Sequence, residues 1–202
     1  MSEIIASNIN SNSGLRKKPS AGVWVKISAV SASSSATVSF TSGLDSTYDK
    51  YCFIFNNIHA ATDNQLFHFN GSSDTGSNYN VTKTTTFWRA YHAEDDSSGI
   101  GYDTGGDLAQ GTGFQVLNGD GLGIDNDQST SGYLYLYNPA DTTFVKHFIS
   151  TAQGIYNSAY SWNMFIAGYF NTTSAIDEIQ FKMSADEIDS GKIKLYGLKD
   201  SA

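Results

Sequence analysis

From residue 21 onward, apolar residues recur with period two. In "VWVKISAV", Val23, Val25 and Ile27 alternate with Trp24, Lys26 and Ser28; in "ATVSF", Ala36, Val38 and Phe40 alternate with Thr37 and Ser39. "LFHFN" sets Phe67 and Phe69 against His68, while "YCFIFNNI" begins apolar on both faces, as a central strand does. "TTTFWRAYH", "GYLYLYN", "TFVKHFIS", "NMFIAGYF", "EIQFKM" and "KIKLYGL" bring the set to about ten or eleven short segments, rich in β-branched and aromatic residues and bounded by Gly, Asn, Asp and Ser. No long window repeats at 3.6, and only "ADEID" has room for a helical turn. The pattern predicts an all-β fold: an antiparallel two-sheet β-sandwich, jelly-roll-like, over residues 21–202, with an extended N-terminal arm over residues 1–20.

The same alternation predicts faces. Phe53, Phe55, Phe67, Phe69, Phe165, Ile166 and Phe181 are expected in the core. In "TTTFWRAYH" one face holds Phe87, Arg89 and Tyr91, the other Trp88, Ala90 and His92. In "GYLYLYN" Leu134 and Leu136 claim the core, which turns Tyr133, Tyr135 and Tyr137 outward. "KIKLYGL" mixes Lys192 and Lys194 with apolar residues and suits a sheet edge, where charge discourages stray pairing. Residues 93–131 carry Gly and Asp throughout and little periodicity; a stretch this long is functional, disordered or packed over one sheet.

A length of 202 residues points to one domain and suffices to bury about 70% of the unfolded chain's surface without a staple. With 2 prolines against 19 glycines, turns must be built from Gly, Asn, Asp and Ser. The net charge of −8 argues against nucleic acid as a partner, because that binding runs on Lys and Arg displacing counterions. It suits a soluble particle that repels its copies except at designed contacts. The single Cys52 excludes an intramolecular disulfide and reads as a small buried hydrophobe. "MSEIIASNIN" has neither the basic start nor the apolar run of a secretory signal, and no stretch reaches the roughly 18 apolar residues of a membrane-spanning helix.

The first twenty residues differ from the rest. They are rich in Asn and Ser, with isolated Ile4, Ile5 and Ile9, and carry Arg16, Lys17 and Lys18. Termini are often untethered tails. The contrast between a basic arm and an acidic body also predicts an arm that reaches a neighbouring chain.

Candidate chemistry is sparse. "GTGFQV" lacks the third small residue and the following helix of a dinucleotide loop, and no nucleophile elbow, phosphate loop or zinc-binding His pair is present. Glu occurs only at Glu3, Glu94, Glu178 and Glu187, none set apart as half of a glycosidase pair. Asp120, Asp125 and Asp127 are hard oxygen donors but do not follow an EF-hand spacing, and read as a solvated acidic turn. His59, His68, His92 and His147 do not fall at metal-ligand spacing. No enzyme, metal or cofactor is expected. The exposed aromatics carry more: Tyr133, Tyr135 and Tyr137, with Trp88 and Trp162, form the candidate contact surface, since rigid rings with a polar tip suit both subunit interfaces and sugars. A neighbouring strand or the long loop could equally cover them.

Four motifs in order carry a resemblance: Trp24-Val25-Lys26-Ile27, Asp45-Ser46-Thr47-Tyr48-Asp49-Lys50-Tyr51, the run Gly71 to Tyr79, and the closing Ser190-Gly191-Lys192-Ile193-Lys194-Leu195-Tyr196-Gly197. With "TTTFWRAYH" and "FNTTSAIDEIQFKM" between them, residues 22–198 resemble a family of virion structural proteins of tailed bacteriophages, marine ones especially. The resemblance implies a β-sandwich particle component, such as an exterior decoration, fibre or tail-associated protein, whose partners are other virion proteins and copies of itself. It carries over no site residues. The alternative from a different class is a carbohydrate-binding, receptor-binding module whose partner is a host-surface glycan.

Overall fold

The computed structural model describes residues 22–199. They form β1 (Val23–Ser35), β2 (Val38–Phe40), β3 (Lys50–Ala60), β4 (Phe67–Ser72), β5 (Lys83–Ala93), β6 (Ser98–Tyr102), β7 (Gln115–Val116), β8 (Thr130–Tyr137), β9 (Lys146–Ile155), β10 (Tyr160–Phe170), β11 (Glu178–Met183) and β12 (Ile188–Lys199). An eight-stranded sheet in the order β1-β12-β3-β8-β9-β10-β5-β6 faces a four-stranded sheet in the order β2-β11-β4-β7, and the pairings are antiparallel. The chain changes sheet at each step from β1 to β5 and again around β7 and β11, while β8, β9 and β10 form a meander within the large sheet. "ADEID" holds no helical turn: the chain bends at Ala185 and Asp186, the latter at φ 61°, and Ile188 and Asp189 already belong to β12.

The core lies between the sheets. Tyr51, Phe53 and Phe55 of β3, Leu134 and Leu136 of β8, Phe148 of β9 and Ile166 and Phe170 of β10 meet Phe67 and Phe69 of β4 and Ile179 and Phe181 of β11, all buried. Phe181 is the hub: its ring stacks on Phe67 at 5.7 Å and meets Phe53 edge-on at 5.5 Å and Phe40 at 6.2 Å. Such edge-on and offset pairs add about 0.5–1.5 kcal/mol each beyond the area they bury.

The faces follow the alternation except in three places. Phe165, expected in the core, is 48% exposed. It neighbours Ile166, and a pleated strand can turn only one of two adjacent residues inward; Trp162, Met164, Ile166 and Phe170 hold the inner parity of β10. In β1 the register slips between Lys26 and Ser28, so Ile27 is an extra residue and Ser28 and Val30 continue the inner row opposite Leu195 and Ile193. Lastly, β12 is not an edge. It pairs with β1 on one side and β3 on the other, because the N-terminal strand covers it.

The weakly patterned segment supplies β7 at the edge of the four-stranded sheet and packs over the inner face of the large sheet beyond it. Leu108 N–H donates to Thr85 Oγ1 at 2.8 Å, Leu117 N–H to Phe67 O at 2.7 Å, and Leu122 exchanges backbone bonds with Gln65. Leu117 and Leu122 are buried, and a Cβ on Gly106 would lie 2.7 Å from the Phe87 ring. Residues 103–129 thus act as a lid of loop on β5 and β10.

Two lysines are buried. Lys83 donates to Asn70 Oδ1 at 2.6 Å and to Val81 O at 2.8 Å, and Lys146 donates to Phe144 O at 3.0 Å. Among the described residues no carboxylate pairs with Lys83. Its burial drives the amine from the ordinary 10.5 down to about 7.

Phe55→Ala should lower stability by about 3–5 kcal/mol, whereas Phe165→Ala should stay within about 0.5 kcal/mol; urea unfolding of both variants checks the assignment of faces. Lys83 gives a pH prediction. Between pH 7 and 10.5 the unfolded chain keeps a proton on Lys83 that the folded chain has released, so stability rises with pH in that window. Above 9 the buried Cys52 thiol, held up to about 12 by desolvation, pulls the other way. Urea midpoints should therefore climb from pH 7 to pH 9, and Lys83→Met should flatten that climb.

Candidate contact surface

One face of the large sheet packs on the core; the other is open. Cross-strand partners run across the open face in continuous rows. One row passes from Lys194 through Ile54, Tyr133, Thr151, Phe165 and Trp88 to Tyr102. The next passes from Lys26 through Tyr196, Cys52, Tyr135, Ile149 and Ala167 to Thr86. Trp88 and Phe165 are each 48% exposed and Ile149 45%. An antiparallel sheet facing water ordinarily sets polar residues on that side, and a contiguous apolar patch is the mark of a contact site. Over the small side chain of Ala167, between Ile149, Tyr169 and Thr86, the face dips into a depression of about 470 Å³.

The face has two chemically different halves. Toward β1, β12 and β3 it is aromatic and cationic. Tyr133, Tyr135 and Tyr137 point outward while Leu134 and Leu136 are buried beneath them, as the alternation predicts. Trp24 stacks on Tyr135 with centroids 5.9 Å apart and planes 10° from parallel, and Tyr133 lies 4.7 Å from Tyr135. The Lys50 ammonium sits 3.9 Å from the Tyr135 centroid and 5.3 Å from that of Tyr137. The tyrosines therefore pack on one another and under a cation instead of forming a bare ledge. Lys26, Lys192 and Lys194 share this side of the sheet. Toward β9, β10, β5 and β6 the face is neutral: Ile149, Phe165 and Trp88 lead to Tyr102, whose ring meets Trp88 edge-on at 5.5 Å.

Acid is excluded from this sheet. Among the strand residues of its eight strands only Asp189, at the start of β12, carries a carboxylate. Carboxylates gather in the connections instead. Asp63 (β3–β4), Glu94, Asp95 and Asp96 (β5–β6), Asp125 and Asp127 (before β8) and Asp186 and Glu187 (β11–β12) all lie at the end of the sandwich marked by Ala60, Ala93, Thr130 and Ile188. The segment before β8 is tied there through His59 Nε2, 3.0 Å from Asp125 O.

Trp162 does not belong to the surface. It is 7% exposed on the inner side, 4.9 Å from the Tyr91 ring and 4.8 Å below the Arg89 guanidinium, because it shares the parity of Met164 and Ile166. Arg89 in turn pairs with Asp103 at 2.8 Å and Asp120 at 3.5 Å. Burial, the leading influence, raises the Asp120 carboxyl, and Arg89 lowers it. Trp88 lies where the alternation predicts. Arg16, Lys17 and Lys18 lie outside the described residues. Trp24, Lys50, Ile149 and Phe165 escape a reading of single strands, since their juxtaposition depends on which strands are neighbours.

Comparison with known protein families finds none that matches this chain, and comparison with curated proteins finds no match either.

The tryptophans offer a direct check. Trp162→Ala should cost about 3–5 kcal/mol as a core truncation, and Trp88→Ala no more than about 0.5 kcal/mol as a surface one. Tyr135→Ala should fall between them, near 1 kcal/mol, through loss of the Trp24 stacking and the Lys50 contact. Chemical denaturation of the three variants, ranked against wild type, reads the order.

Proposed function

We propose that this chain is a structural component of a tailed bacteriophage virion, an exterior decoration, fibre or tail-associated protein, made in the host cytoplasm and acting through contacts with copies of itself and other virion proteins. The observation that carries the reading is the apolar outer face of the eight-stranded sheet, where Ile149, Phe165 and Trp88 stand exposed side by side on adjoining strands. A face of this kind is kept from water by another surface. The motif order from Trp24 to Gly197 supports a particle component as the setting.

A second reading has its own support. Trp88 is open to solvent beside Tyr102, whose hydroxyl donates to Asp107 at 2.5 Å. An aromatic wall next to a carboxylate is the combination a sugar-binding site uses, so the neutral half could instead receive a host-surface glycan.

Sedimentation velocity separates the two. Wild type should associate, and a Phe165→Ser/Trp88→Ser variant should sediment as a monomer with unchanged circular dichroism. A monomeric wild type that binds on a glycan array, with binding lost in Trp88→Ala, would transfer the face to the glycan reading. Cryo-electron microscopy of intact particles would then locate the chain.

A further inference from the structure

The cationic half of the outer face and the acidic end of the sandwich are parts of one molecule, and they are complementary. We propose that copies associate head to face: the acidic end of one copy seats on the cationic, aromatic half of the sheet face of the next. This rests on the proposed use of that face as a subunit contact and specifies its occupant.

The argument is electrostatic and geometric. A two-fold contact centred on this half of the face would bring Lys26, Lys50, Lys192 and Lys194 toward the same lysines of the partner. Apart from Asp189, no strand carboxylate of that sheet is at hand to neutralise them. Like charges juxtaposed in a closing interface cost several kcal/mol. Meeting the acidic end turns the same lysines into partners. Glu94 and Asp127 there are exposed and make no ion pair or side-chain hydrogen bond among the described residues. Their charges are available. Lys50 is already held by the Tyr135 ring at 3.9 Å, so less side-chain freedom is lost when a carboxylate arrives.

A contact between two different patches is heterologous. Each copy keeps one free face and one free end, so association continues into a ring or a filament instead of stopping at a dimer.

Complementation tests this. The face variant is Lys26→Glu/Lys192→Glu/Lys194→Glu, and the end variant is Glu94→Lys/Asp127→Lys/Glu187→Lys. Each should sediment as a monomer, because each lacks half of the contact. An equimolar mixture should assemble, because the intact end of the first meets the intact face of the second and the two reversed patches, now an acidic face and a basic end, attract each other as well. Wild-type assembly should weaken at least tenfold in salt on the order of 0.5 M, where the screening length is about 4 Å. Gln in place of the reversed charges serves as a second variant pair should a triple reversal perturb the fold. A mixture that stays monomeric while wild type assembles overturns the head-to-face arrangement and leaves the subunit-contact reading standing. Wild-type assembly in either single variant overturns it too. A wild type that never assembles overturns both.

Discussion

The inner face of the eight-stranded sheet has to be kept from water across its whole width, and the four-stranded sheet reaches only part of it. The rest of the architecture follows from that mismatch. β5 and β10 present Phe87, Trp162 and Met164 beyond the reach of β4, and the chain covers them with the segment from residue 103 to residue 129, which also supplies β7. A loop laid on a sheet brings backbone with it, and every buried N–H and C=O needs a partner. Those partners are present: Thr85 and Gln115 bond to each other at 2.7 Å and serve Leu108 N–H and Gly106 O, and Asn118 accepts from Phe67 N–H. The absence of a Cβ at Gly106 lets the main chain come down onto the Phe87 ring.

What the sequence exposes and what it hides divide along the same line. Wherever a strand alternates cleanly, as in Tyr133 to Tyr137 or Phe87 to His92, period two assigns both faces correctly. Where two bulky residues sit side by side, as Phe165 and Ile166 do, parity decides and hydrophobicity alone cannot. Trp162, flanked by the exposed Ser161 and Asn163, shares the inner parity of Met164 and Ile166, whereas Trp88 lies on the outer parity of β5. The bulge at Ile27 and the interior place of β12 depend on pairing between strands more than 150 residues apart, which no local window contains. The long segment looked structureless because its periodicity is set by the sheet it lies on, and its short β6 and β7 carry too few residues to show a period. The contact surface was legible as a tyrosine row and invisible as a face, since a face is a property of strand order.

The separation of charge grows from turn chemistry. With so little proline, the turns rely on Asp. Asp45, Asp95, Asp103 and Asp141 each accept hydrogen bonds from backbone N–H groups two or three residues on. Bonds from Thr47 to Asp45 and from Ser97 to Asp95 hold those carboxyls below their ordinary range, so they stay ionised. Acid is thereby kept mostly in the connections, and among the strands of the large sheet only Asp189 carries a carboxylate. A chain of net charge −8 is left with a sheet face whose charge is almost entirely positive. Polarity of this kind along one molecule needs no dedicated acidic tail; it is a by-product of how the strands are joined.

Arg89 has a consequence for resistance to proteolysis. It reaches from β5, lies over Trp162, and clasps Asp103 at the start of the loop lid and Asp120 farther along it. A Gly- and Asp-rich stretch of that length would ordinarily be the first place a protease cuts, because cleavage requires roughly ten residues to detach and extend into the enzyme's cleft. Here detachment must first break the clasp and uncover Phe87 and Met164. Cleavage within this segment thus waits on the free energy of lifting one loop, held by the Arg89 clasp together with the backbone bonds of Leu117 to Phe67 and of Leu122 to Gln65, with no disulfide required.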